Sequence, residues 1–229
     1  MYSPEGKTRF KPKTTLDSLY ASIFQTAFSE EDPEVDSKVR LTIGAVIMVV
    51  NPLPPSGIAE LIGEEPEEVV RFLTLVQSLL TVDEDFSQPV KAFHKSFPDF
   101  ITDPSRCPDS RFYIPTESVQ LELATNCLRM MNSGLEQNHL SLPDYALNSE
   151  VDDIQKRIDS RVSIALQYAC KSWHGHLTKA TGNIASIIPD LRFFLAGKLL
   201  AWLEVMSVLG TVRGAVAALE ELMTWSREV

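Results

Sequence analysis

Apolar residues recur at intervals of three and four positions through the second half of the chain, and this spacing restricts that half to helices. One series consists of Leu121, Ala124, Leu128, Met131 and Leu135. A second series consists of Ile154, Ile158, Val162, Ala165, Ala169 and Trp173. The second series predicts one helix over residues 153–177, and further helical regions are expected at residues 191–209, ended by Gly210, and from Thr211 onward. Residues 104–229 are therefore predicted to form an all-helical domain.

The first half carries shorter helical patterns, separated by the polar segment SEEDPE and the proline-rich segment NPLPPSG. Ser56 is predicted to cap a short helix over residues 57–62, and Pro66, surrounded by glutamates, predicts the start of another. The short runs LLTVDED and PVKAFH then predict a β-hairpin. Three helices followed by a hairpin is the order of a winged-helix domain, which we place at residues 16–103. Residues 1–15 are interpreted as a tail or the remnant of an upstream module, and the predicted fold is mostly α.

The formal net charge of −10 over 229 residues limits the partners of the chain. Binding to nucleic-acid phosphates or to an anionic membrane requires clustered Lys and Arg, so we expect protein surfaces as partners instead. The three cysteines are widely spaced and favour neither a disulfide framework nor a zinc site. The basic start lacks the apolar segment of a signal peptide, and no apolar run is long enough to cross a bilayer. We expect a soluble, cytoplasmic protein.

No motif in the chain indicates catalysis. EGKT at residues 5–8 matches only the end of a phosphate-binding P-loop, with no strand before it and a proline soon after, so we treat the match as chance. His174 and His176 are two positions apart and would point in different directions on a helix, which argues against a shared metal ion. A helix end at Gly175 is the simpler interpretation. We expect a non-catalytic chain with no metal site and no cofactor of its own.

The helix that would read DNA in a winged-helix protein is acidic here. Such a helix must bring Lys, Arg, Asn or Gln to base edges and phosphates. Between residues 60 and 85, Arg71 is the only cation among a majority of acids. Insertion of this helix into a DNA groove is therefore predicted to be repulsive.

The segment FHKSFPDFITD, at residues 93–103, contains a histidine directly before an expected helix start. Ser96 and Asp99 have the spacing of a capping box, and Pro98 is tolerated in a first turn. His94 would then lie where free amides attract an anion and where a neutral imidazole can donate a hydrogen bond. The alternative is a histidine packed against the hairpin, with its ring bonded to a backbone carbonyl. The spacing alone leaves both interpretations open.

This segment resembles the winged-helix region of STAND-class NTPases with a NACHT module, the family of nucleotide switches that includes NOD-like receptors and many fungal proteins. The matching positions are Phe93, His94, Ser96, Phe97, Asp99 and Phe100. Pro98 departs from the glutamine common in animal members and resembles basidiomycete members. TTLDSLYASIF, NPLPPSGIAELIG and LQYACKSWHGHL are also similar to that fungal group, so the resemblance covers nearly the whole chain.

The resemblance implies a regulatory function. In the family, the winged-helix histidine contacts the β-phosphate of ADP and holds the receptor closed, which makes His94 the candidate phosphate contact. The P-loop that binds most of the ADP or ATP belongs to an upstream NACHT module, so hydrolysis is not implied for this chain. We expect the winged-helix and helical arm of such a receptor, with that module as its partner. The alternatives are a winged-helix DNA-binding regulator and a free-standing helical adaptor.

Overall fold

The computed structural model describes residues 15–143 and 147–227, and within these ranges the chain is mostly helical. The described residues contain one sheet, formed by two short antiparallel strands. A mostly α fold with a small hairpin is thus confirmed at this level. The EGKT motif and nearly all of the expected N-terminal tail lie outside the described residues.

The N-terminal part of the chain consists of five helices and the hairpin. Its elements are α1 (Thr15–Ala27), α2 (Pro33–Met48), α3 (Pro55–Ile62), α4 (Pro66–Leu75), β1 (Leu80–Thr81), β2 (Lys91–Ala92) and α5 (Ser96–Ile101). Leu80 pairs with Ala92 and Thr81 with Lys91, as the two strand-like runs predict. Each strand has only two residues, so the hairpin is smaller than its sequence pattern indicates.

The remaining elements are helices joined by loops and short 3-10 turns. They are α6 (Thr116–Gly134), α7 (Ile154–Arg161), α8 (Ile164–Leu177), α9 (Ile188–Phe193), a π-helical turn (Phe194–Lys198), α10 (Leu199–Val208) and α11 (Val212–Trp225). Helix α10 ends close to Gly210, as predicted. Gly210 has a positive φ of 69°, the left-handed conformation that a residue often adopts just after a helix. None of the described helices is long and apolar enough to cross a membrane.

The predictions for α3 and for residues 153–177 are wrong in detail, because Pro55 begins α3 and Ser163 caps a separate helix α8. Helix α3 starts at Pro55, whose fixed φ suits a first helical position, and Ser56 makes no capping bond there. The single helix expected over residues 153–177 is broken between α7 and α8. Ser163 is extended, and its hydroxyl accepts the Leu166 amide at 3.1 Å, which caps α8. The apolar spacing continues through Val162 and hides this break.

The hydrophobic core runs continuously from the N-terminal helices into the C-terminal ones. Helices α6 and α8 pack along each other, and both also contact α3. At the centre of the C-terminal part, the rings of Trp173, Trp202 and Phe194 meet edge to face, with centroids 5.3 to 6.2 Å apart. The indole of Trp202 also donates to the Cys170 carbonyl at 2.8 Å. The domain boundary near residue 103 stays a prediction.

Helix α1 lies against α5 through aromatic side chains. Tyr20 contacts the rings of Phe97 and Phe100 at 5.7 and 5.5 Å between centroids, and Phe24 stacks on Phe97 at 5.9 Å. All four side chains are buried. Aromatic pairs at these distances are favourable beyond the area that they bury. This packing fixes the first helix beside the segment that carries His94.

Candidate functional site

His94 lies in the short connection between the hairpin and α5. The Phe93 amide donates to the Leu79 carbonyl at 2.9 Å, which continues the hairpin pairing by one residue. His94 follows with an exposed side chain, and its carbonyl accepts the Phe97 amide at 3.0 Å. The ring therefore stands at the surface, between two backbone elements that hold its Cα in place.

One nitrogen of the His94 ring is occupied by Ser96. The Ser96 amide donates to Nδ1 at 3.1 Å, and the Ser96 hydroxyl lies 2.7 Å from the same nitrogen. A backbone amide can only donate, so Nδ1 must be an acceptor. In the neutral ring the proton is then carried by Nε2, which has no hydrogen-bond partner among the described residues. The site thus presents an outward N–H donor.

The capping box predicted for Ser96 and Asp99 does not form. Lys95 already has helical dihedral angles, so Ser96 is the first residue of α5 and not its cap, and no side chain caps this helix. The Ser96 hydroxyl turns toward His94 and Tyr20 instead of a helix amide. The ring bonds of His94 also differ from the alternative in which the imidazole binds a backbone carbonyl. Its role as a phosphate contact stays a prediction.

The surroundings of His94 are locally basic on an otherwise acidic chain. Lys91 and Lys95 are exposed, and neither forms an ion pair with another described residue. Phe93 is 75% exposed, whereas Phe97 and Phe100 of the same segment are buried. Opposite charges attract over several ångströms near a protein surface. Lys91 and Lys95 favour an anionic group here more than the acidic surface of α4 does, and the exposed carboxylate of Asp99 opposes it.

The charge distribution on α4 is unfavourable for DNA. Lys38 forms ion pairs with Glu64 at 3.2 Å and Glu68 at 3.0 Å, and Arg71 pairs with Glu68 at 3.1 Å. The carboxylates of Glu65 and Glu67 remain exposed. The single cation that the sequence offers on this helix is thus already paired with an acid.

A second polar connection joins α1 to the loop that follows α5. The Arg106 guanidinium donates to both carboxylate oxygens of Asp17, at 2.7 and 3.4 Å, and Asp17 is fully buried. The bond to Asp17 raises the pKa of Arg106 further above its usual value. A paired guanidinium satisfies the desolvated carboxylate, which is the condition for burying such a charge. The position of α1 is therefore fixed by polar as well as aromatic contacts.

The two histidines of the WHGH segment have separate partners. They lie inside α8, which continues past Gly175 to Leu177, so the helix end expected at that glycine is wrong. The ring of His174 bonds Glu221 at 2.7 Å, whereas His176 is buried and bonds Tyr168 and Gln120, both at 2.6 Å. Across residues 15–143 and 147–227, no three His, Cys, Asp or Glu side chains are grouped as metal ligands.

The sequence does not predict the hydrogen-bond network around His176. Burial lowers the pKa of His176 to about 4, so the ring is neutral at physiological pH. Since the Gln120 side chain accepts through its oxygen, Nδ1 of His176 donates and Nε2 accepts from the Tyr168 hydroxyl. Gln120 is 56 residues away from His176 in the chain, and no local spacing signals such a pairing.

The three cysteines lie in the core. Burial raises the pKa of the Cys107 and Cys170 thiols to about 12 and raises that of Cys127 as well. A thiol must ionise to act as a nucleophile or a metal ligand, so these side chains are packing residues at neutral pH.

Comparison with known proteins gives one distant relative. The chain is 24% identical, over a 230-residue alignment, to the vegetative incompatibility protein HET-E-1 of Podospora anserina. The alignment covers 90% of this chain but 16% of that protein, so the chain corresponds to a small part of its relative. No protein-family model matches, and no solved structure matches. The comparison therefore shows a distant similarity to a fungal incompatibility protein, along almost the whole chain.

Proposed function

We propose that this chain is the regulatory arm of a NACHT-type signal-transduction NTPase, with α1 to α5 as its winged-helix domain and the later helices as its helical domain. The arm does not itself hydrolyse nucleotide. It contacts ADP bound to an NTPase module and holds that module closed through this contact. Its partners are the NTPase module and other protein surfaces, and it binds neither nucleic acid nor membrane.

The observation that carries the proposal is the orientation of the His94 ring. Ser96 holds Nδ1, which leaves an outward Nε2–H on an exposed side chain. A hydrogen bond from such a donor to a charged phosphate contributes about 1.5 to 3 kcal/mol to binding. A ring whose two nitrogens were both satisfied inside the fold could not do this.

Several further features support the proposal. The matched segment FHKSFPDF resembles the histidine motif of NACHT proteins, and the distant relative is a fungal incompatibility protein that aligns with nearly the whole chain. The order of α2, α3, α4 and the hairpin agrees with the order expected of a winged helix and so supports the proposal. The acidic surface of α4 and the paired state of Arg71 disfavour the DNA-binding alternative.

The test joins this chain to an upstream NACHT module and measures ADP affinity. We expect His94→Ala to weaken ADP binding by roughly ten- to a hundredfold, since it removes one hydrogen bond to a charged group. His139→Ala is the matched control, because the His139 ring bonds the Arg161 carbonyl, far from α5 in sequence. Equal ADP affinity in the wild type and the His94→Ala fusion would reject the proposal.

A further inference from the structure

We propose that Tyr20 is a positioning residue for His94, and that it makes the orientation of the imidazole depend on the position of α1. This inference rests on the proposed function for its consequence in nucleotide binding, but not for its structural content. The carrying observation is a chain of hydrogen bonds from Tyr20 through Ser96 to His94. Tyr20 and Ser96 are 76 residues apart, and their oxygens lie 2.7 Å apart.

The direction of every bond in this chain follows from one backbone amide. The Ser96 amide donates to Nδ1 of His94, so Nδ1 carries no proton. The Ser96 hydroxyl, 2.7 Å from the same nitrogen, must then donate to it as well. A hydroxyl has one proton, so Ser96 has none left for Tyr20. Tyr20 therefore donates to Ser96, Ser96 donates to His94, and the His94 proton is placed on Nε2.

Tyr20 is suited to this role because it is held firmly. Its side chain is only 5% exposed and packs between Phe97 and Phe100, so the hydroxyl has little freedom to turn away. Hydrogen bonds in a chain polarise one another, and each strengthens the next. With Tyr20 donating, the Ser96 proton is directed at His94. Without this donor, the Ser96 hydroxyl is free to turn away from Nδ1, and the backbone amide of Ser96 is then the one remaining donor to that nitrogen among the described residues.

The chain of bonds connects α1 to the exposed ring. Because Tyr20 lies on α1 and Ser96 on α5, any shift of α1 away from α5 would break the first bond and release the hydroxyl that strengthens the tautomer set by the Ser96 amide. The Nε2–H tautomer is then held by the amide alone, and the ring is a weaker donor for an anionic partner. The His94 site would thus depend on the position of α1 against α5 as well as on the nucleotide.

The first experiment is nitrogen NMR of the histidine rings in this chain, which reports the tautomer directly. We expect the wild type to carry the His94 proton on Nε2 and the His176 proton on Nδ1, so His176 is an internal reference for the opposite tautomer. Tyr20→Phe keeps the ring packing and removes only the hydroxyl. It should raise the fraction of His94 protonated on Nδ1 and leave His176 unchanged.

Three variants make this result specific. Ser96→Ala should produce the same shift or a larger one, whereas Ser96→Thr, which retains a hydroxyl, should preserve the wild-type tautomer. Tyr113→Phe removes a tyrosine hydroxyl that bonds no other described residue, so the His94 signals should not move. An unchanged His94 tautomer in a folded Tyr20→Phe protein, as judged by its thermal unfolding, would overturn the inference.

The second experiment measures ADP affinity in the chain joined to its NACHT module. Tyr20→Phe should weaken binding by roughly two- to tenfold, the effect of one neutral hydrogen bond, and should add nothing to a His94→Ala background. A full additional loss in that background would show that Tyr20 acts apart from His94 and would overturn the inference. If His94→Ala alone leaves ADP binding unchanged, the proposed function fails, and the NMR result still decides the role of Tyr20.

Discussion

The backbone amide of Val50 and the hydroxyl of Tyr168 lie 3.3 Å apart, and their hydrogen bond connects the end of α2 to α8. The same hydroxyl donates to the buried ring of His176, which in turn donates to Gln120 on α6. Three helices are thus joined by one polar network inside the core. Buried networks of this kind are stable only while each member keeps its partner.

Tyr168→Phe should destabilise the chain by about 1 to 3 kcal/mol, because Nε2 of the buried His176 loses its donor. The phenylalanine ring keeps the packing at position 168, so the lost stability measures the contribution of the hydroxyl alone. Urea unfolding at pH 7.5 measures the change in free energy. Tyr113→Phe is the control and should alter stability by less than about 0.5 kcal/mol. Equal stability of the wild type and Tyr168→Phe would mean that water replaces the hydroxyl at no cost.

Stability should fall as the pH drops from about 6.5 toward 4 through the protonation of His176. Burial lowers its folded-state pKa to about 4, with smaller contributions in the same direction from Lys179 and His174, whereas the unfolded ring titrates near its usual pKa of about 6.5. The unfolded chain therefore binds the proton first, and the stabilisation present above pH 6.5 is lost on acidification. The expected loss from this group is on the order of 3 kcal/mol.

The contribution of His176 can be separated from that of the carboxylates by comparing variants. Urea unfolding of the wild type and His176→Gln at pH 7.5 and pH 4.5 gives two differences in stability. The loss of stability between pH 7.5 and pH 4.5 should be smaller in His176→Gln than in the wild type, since glutamine does not titrate. His139→Ala should keep the wild-type dependence. An equally steep loss in His176→Gln would assign the acid sensitivity to other groups.

Val162→Asp should cost several kcal/mol of stability, because an unpaired charge would enter the core. Val162 is 2% exposed and lies in the connection between α7 and α8. Ile158→Asp, at a side chain that is 6% exposed, should behave alike. Ser160→Asp, on the exposed face of the same helix, is the matched control and should change stability by about 0.5 kcal/mol or less. Wild-type thermal stability in Val162→Asp would mark this apolar stripe as a surface for a partner.

Duplex DNA should not be retained at physiological salt. Too few phosphates can be neutralised by a chain of net charge −10 whose Arg71 already pairs with Glu68. A gel-shift assay with random and genomic duplexes tests this, with Glu65→Lys and Glu67→Lys as variants that should increase nonspecific retention. Sequence-specific retention of the wild type would favour the transcription-regulator alternative.

The chain on its own should neither bind ATP tightly nor hydrolyse it. The proposed His94 contact to a phosphate is a single one, whereas phosphoryl transfer needs several, together with ligands for Mg²⁺. Equilibrium titration with labelled nucleotide and a phosphate-release assay measure the two activities. Turnover that His94→Ala abolishes would show that this chain contributes a catalytic group.

The helices were predictable wherever the apolar spacing is long and ends at a strong local cue, as at Pro66 and Gly210. The break at Ser163 was not, because Ile158, Val162 and Ala165 keep helical spacing across it while the cap is a single hydroxyl. The sequence also places His94 in a short connection before a helix. The Ser96 hydroxyl that contacts its ring also bonds Tyr20, which is 74 positions before His94, and contacts of this kind have no local pattern.

The packing of α6 and α8 against α3 has a mechanical consequence. A joint that bends needs a thin, solvated connection, whereas here buried side chains continue from the aromatic cluster of α1 to the tryptophans of α8 and α10. A force applied at the hairpin edge would then be transmitted through this core to the C-terminal helices, and not absorbed by bending near residue 103.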